Sequence, residues 1–75
     1  MNTYTLELEI ENMTDFTSVL LYAGYYKSSA EAGMKASAER YKNTKNPARY
    51  AVKTWQNGVV KEKKEYTVKE VLDLP

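Results

Sequence analysis

The chain has 75 residues, no cysteine and no histidine, and carries a net charge of +1. That length provides for one domain and one core, and a chain this short buries only about 60% of the surface it exposes when unfolded. The composition excludes disulfides, zinc sites built on histidine or cysteine, and Ser-His or Cys-His nucleophile pairs.

Without such staples, stability must come from efficient packing or from self-association, so a homodimer is one expectation. Met1-Asn2-Thr3 is not a basic leader ahead of an apolar run, and no secretory signal is expected. The longest apolar stretch, residues 19–26, falls short of the ~20 residues that a membrane span needs. The expectation is a cytoplasmic protein with no membrane contact and no cofactor. The absence of cysteine suits a reducing compartment. Charge is unevenly spread: residues 1–15 sum to −4, while residues 35–69 sum to +7.

Residues 3–11 alternate with period two. Tyr4, Leu6, Leu8 and Ile10 share one face, and Thr5, Glu7, Glu9 and Glu11 the other, which predicts a strand with one buried and one acidic face. Residues 12–15 predict a turn. Residues 16–27 are rich in β-branched and aromatic side chains, and Gly24 with Tyr25-Tyr26 disfavours a helix, so a second, antiparallel strand is expected. The competing expectation is one long helix from Asp15 to about Asn43.

Ser28 followed three residues later by Glu31 matches a capping box and predicts a helix over residues 29–42. Ala30, Met34, Ala38 and Tyr41 fall on one narrow apolar face, flanked by Gly33 and Ser37, with Lys35, Glu39, Arg40 and Lys42 towards water. Residues 43–47 end it, because Pro47 biases Asn46 away from helix. Residues 48–56 predict a third strand and residues 59–68 a fourth. Between them Asn57-Gly58 suits a type I′ turn, whose two central residues both need positive φ. The tail, residues 69–75, offers Val71, Leu72 or Leu74 for docking on the core. The predicted class is α+β: a small β-β-α-β-β domain with one helix packed on one face of an antiparallel sheet. Strand order does not follow from the pattern.

No glycine-rich phosphate loop is present, since Gly24, Gly33 and Gly58 stand apart. Glu7, Glu9 and Glu11 lie about 7 Å apart on one strand face, a spacing open to a hard cation or to paired-carboxylate chemistry. A solvated acidic strand is the plainer reading and is preferred. No catalytic residue and no metal ligand is therefore assigned.

Seven tyrosines, one tryptophan and one phenylalanine are many for this length. Tyr and Trp give large contact area and are enriched at interfaces, although small cores also use tyrosine with its hydroxyl towards water. If the helix covers Tyr50, Val52, Val60, Tyr66 and Val68, the opposite sheet face presents Trp55 with Arg49, Lys53, Lys61 and Lys63. Glu7, Glu9 and Glu11 stand on the first strand, and Tyr22 and Tyr26 join them from the second.

These ten residues form the candidate contact surface. The expected function is non-enzymatic protein binding on this face or on an edge strand, with Trp55 and Tyr26 as anchors, in an adaptor or an inhibitor of a larger complex. Phage and mobile-element inhibitors of host defence have this character. A variant has Glu7, Glu9, Glu11 and Asp15 imitate phosphate spacing in a basic groove. The alternative is nucleic-acid binding, with bases stacked on Trp55 and phosphates met by Lys53, Lys61, Lys63 and Lys64. Against it stand the interleaved Glu62 and Glu65, the near-neutral net charge and the acidic first strand.

Overall fold

A computed structural model describes residues 1–11, 15–43 and 48–75. The elements are β1 (Thr3–Glu11), β2 (Phe16–Gly24), α1 (Lys27–Tyr41), β3 (Ala48–Gln56), β4 (Val59–Thr67) and α2 (Val68–Leu72). The strands form one antiparallel sheet in the order β2-β1-β3-β4. The fold is therefore α+β, with the main helix packed on one sheet face. Residues 16–24 are strand, which removes the long-helix alternative. The turn expected at residues 12–15 and the helix stop at 43–47 lie largely outside the described residues.

The alternation in β1 sets the core. Leu6 and Leu8 are fully buried beneath α1, opposite Val52 and Tyr50 of β3. Ala30, Met34 and Ala38 come down onto them from α1. Alanines at two of these three positions let the helix backbone approach the sheet, with Met34 filling the gap. Tyr50 is the largest buried side chain, and its hydroxyl donates to Ser37 Oγ of α1 at 2.8 Å. Burial pushes the Tyr50 phenol above its ordinary pKa, a rise that the Ser37 hydrogen bond partly offsets.

The helix starts two residues earlier than its capping signature predicts. Its N-cap is Tyr26, with no side-chain cap, and Ser28 and Glu31 lie inside the helix. The cause is upstream: the Tyr26 backbone N–H donates to the Tyr22 hydroxyl at 3.3 Å. The chain has thus already turned at Gly24–Tyr25, where a Cβ on Gly24 would collide with the Tyr22 phenol.

A true capping box lies at α2 instead. The Glu70 N–H donates to Thr67 Oγ1 at 3.1 Å, and the Thr67 N–H donates to Glu70 Oε1 at 3.0 Å. This one-and-a-half-turn helix begins at Val68, so β4 stops at Thr67. It buries Val71 in the core and packs Leu74 partly against it, while Leu72 stays exposed. The Lys35 ammonium of α1 donates to the Pro75 carbonyl and ties down the tail.

Asn57 and Gly58 both have positive φ, 53° and 77°, as the type I′ turn requires. Two irregularities alter strand parity. Leu21 is an extra residue in β2, between the partners of Leu6 and Glu7. Lys61 is an extra residue in β4, between the partners of Thr54 and Trp55. A single inserted residue flips the facing of everything beyond it.

Candidate functional site

The sheet face away from α1 is built by the odd-numbered residues of β1 and β3. Register sets Thr3 beside Trp55, Thr5 beside Lys53, Glu7 beside Ala51, and Glu9 beside Arg49. β4 continues the rows with Lys63 beside Lys53, Glu65 beside Ala51 and Thr67 beside Arg49. At the centre, Ala51 is fully buried although it belongs to the open face and lies outside the core cluster. Its cross-strand neighbours are Glu7 and Glu65, whose long side chains are of the kind that shields a small apolar group with its stem.

These charges are arranged in opposite-sign pairs. Lys53 Nζ lies 3.1 Å from Glu7 Oε1, and Ser18 Oγ donates to the other oxygen of Glu7 at 3.4 Å. Glu65 is shared by Lys63 at 3.0 Å and Arg49 at 3.6 Å. The hydrogen bond from Lys63 and its positive charge hold the Glu65 carboxyl below the usual range. Reciprocally, Glu65 raises the Lys63 ammonium, with smaller contributions from Glu9 and Glu7. Such exposed pairs contribute little to stability, because solvent screens them. Their main effect is to neutralise the acidic strand and the lysine-rich hairpin against each other. Glu11 lies at the rim, in a depression of about 360 Å³ that it shares with Glu9, Arg49, Glu65 and Glu70. No group of three metal-ligating side chains stands together among the described residues.

Trp55 is on this face but is only partly exposed. Its indole Nε1 donates to Thr5 Oγ1 at 2.9 Å. It forms one wall of a shallow depression of about 420 Å³, with Ala23, Gly24 and Tyr25 on the far side.

Of the ten expected surface residues, Trp55, Arg49, Lys53, Lys63, Glu7, Glu9 and Glu11 share the open face. Tyr22 does not: it pairs with Leu6 and packs against the core, because the extra residue at Leu21 reverses the parity of β2 beyond it. Tyr26 is not on the sheet at all; it is the exposed N-cap residue of α1. Lys61 is the unpaired residue of the β4 bulge. Val60, expected beneath the helix, pairs with Trp55 on the open face and is 40% exposed.

The feature that residue patterning missed is the outer edge of β2. Val19, Leu20 and Leu21 are 41%, 60% and 40% exposed. Nothing between Phe16 and Gly24 is charged. Beside this edge, Val19 and Leu21 meet Gly33, Ala36 and Arg40 of α1 across a groove of about 370 Å³. The three consecutive apolar residues were visible in the sequence. Their exposure became legible only once β2 was known to be an outermost strand.

No helix among the described residues is long and apolar enough to cross a membrane. No protein-family model matches this chain, and no curated protein or solved structure matches it significantly.

Proposed function

We propose that this chain is a non-enzymatic protein-binding module, an adaptor or an inhibitor of a larger complex, whose contact surface centres on the β2 edge. The observation that carries the reading is the contrast between the two outer strands. β4 is guarded by Lys61, Glu62, Lys63, Lys64 and Glu65, the usual defence of an outer strand against unwanted pairing. β2 has no such defence, and an unguarded strand of nine residues offers backbone hydrogen bonds plus apolar side chains to an incoming strand.

Tyr25 and Tyr26, both well exposed, extend the apolar surface beyond the end of β2. On the open face Glu7 lies beside Leu20, and Trp55 lines the depression that reaches Tyr25. The pairing of Lys53 and Lys63 with carboxylates favours a protein over a nucleic acid, because bases stacked on Trp55 would lack a free basic track beside them.

The test is capture from lysate of the native cell by immobilised wild-type chain and by Leu20→Lys. Leu20 is exposed, so the variant keeps its circular dichroism spectrum. A protein retained by the wild type and lost by the variant supports the reading. Equal retention by both, or none by either, overturns it.

A further inference from the structure

The chain carries more surface than its mass calls for. Its accessible area is 5325 Å², against about 4,700 Å² for a monomeric protein of its mass. Its radius of gyration is 12.4 Å, against about 11 Å for a compact domain of this length. The shape accounts for the excess: one helical layer on one sheet, with extents of 38 × 31 × 15 Å. The core is correspondingly small, with two alanines among its eight buried members in the described residues.

The surplus, about 600 Å² by the same area scaling, is comparable to one side of the molecule. A nine-residue strand is about 30 Å long, and a sheet edge with a helix beside it stands about 20 Å high once the helix diameter is counted. That side approaches the ~800 Å² per partner of a standard stable interface.

We propose that the β2 edge pairs antiparallel with the β2 edge of a second copy of this chain across a two-fold axis, joining two four-stranded sheets into one. The inference rests on the reading of β2 as the contact edge and names its partner. A two-fold contact must be complementary to itself, and β2 meets that condition. Its lack of charge means that no like charges meet when the strand faces its own copy. An axis within the Ser18–Leu21 stretch brings the apolar Val19–Leu21 segments of the two copies together.

The strand ends differ in sign, with Asp15 before β2 and Lys27 after it. An antiparallel pairing sets the acidic end of each copy alongside the basic end of the other. On the face that carries α1, the groove between Leu21 and Ala36 of each copy would meet the flank of the other copy's α1, with Arg40 at its margin. The Leu21 bulge lies past the middle of β2 and adds twist there, so the register with β1 is regular from Phe16 to Leu20.

Sedimentation equilibrium of the intact chain tests this. The expected result is a species of twice the 8.6 kDa chain mass at micromolar to submillimolar loading. Leu20→Lys sets lysines close across the axis and is expected to weaken the dimer by more than ~100-fold, while Val60→Lys, remote on β4, leaves it unchanged. Amide protection in β2 that rises with wild-type concentration gives the same answer without a variant. A wild-type chain that stays monomeric throughout overturns the self-pairing, as does a dimer that Leu20→Lys leaves intact. The broader edge reading is judged separately, by whether Leu20→Lys abolishes capture of a cellular protein.

Discussion

The indole N–H of Trp55 donates to the hydroxyl of Thr5 at 2.9 Å, joining β3 to β1 between residues fifty positions apart in sequence. The bond holds the ring against the sheet and makes Trp55 a wall of the open face. Thr5→Val keeps the side-chain shape and removes the acceptor. It is expected to cost about 1 kcal/mol, the usual worth of such a bond, and to red-shift the Trp55 fluorescence as the ring loosens towards water. Urea titration with fluorescence detection measures both, and an unshifted midpoint and spectrum would refute the claim.

Gly24 and Tyr22 are a steric pair. A Cβ at position 24 meets the Tyr22 phenol, whose hydroxyl accepts from the Tyr26 N–H. Gly24→Ala should therefore destabilise by about 1–3 kcal/mol, the range for forced overpacking. Tyr22→Phe removes the crowding oxygen, so the double variant should be less destabilised than the separate costs imply. A double-mutant cycle by urea unfolding reads the coupling; strict additivity would show that the two groups do not meet.

Two serine/threonine positions separate a motif from a function. Thr67→Ala removes the side-chain acceptor of the α2 capping box and is expected to cost about 0.5–2 kcal/mol, with faster amide exchange around Val71. Ser28→Ala, within α1, removes no cap and should leave stability unchanged or raise it by a few tenths of a kcal/mol through helix propensity. Thermal denaturation of both variants decides, and a larger loss for Ser28→Ala would contradict the observed helix start.

Stability should fall at both pH extremes for identifiable reasons. The Glu65 carboxyl titrates below its unfolded range, so its pairing contributes above about pH 4.3 and is lost as pH falls through the depressed folded value. Lys63 and Tyr50 titrate above their unfolded values, so their contributions are complete below about pH 10 and are lost as pH rises through the elevated folded values. Urea midpoints across pH should show Glu65→Gln flattening the acid limb and Tyr50→Phe flattening part of the alkaline limb. Unchanged limbs would dissociate these groups from the pH response.

Much of this fold is legible in local pattern because local physics decides it. The alternation of Tyr4, Leu6, Leu8 and Ile10 marks a half-buried strand, Asn57-Gly58 marks the turn between β3 and β4, and the Ala30-Met34-Ala38 spacing marks the buried helix face. What resists is anything that depends on one inserted residue or on a distant partner. Counting by twos through β2 turns Tyr22 outward, whereas the bulge at Leu21 turns it in towards Leu6. Ser28 and Glu31 satisfy a capping pattern, yet the Tyr22 hydroxyl had already engaged the helix start from the neighbouring strand. The open face was largely anticipated from residue types on β1 and β3. The β2 edge was not, because whether Leu20 is exposed depends on strand order, a property of the whole sheet.

The charges that line β4 bear on how far assembly can proceed. Each chain has one uncharged margin, β2, and one charged margin, β4. In the proposed pairing through β2, both outward margins of the merged sheet would be β4, studded with lysine and glutamate. That pairing would leave a third chain no unguarded strand, so growth would end at a closed pair instead of running on into a fibril. A protein with two bare edges would polymerise, and one with two guarded edges would remain solitary.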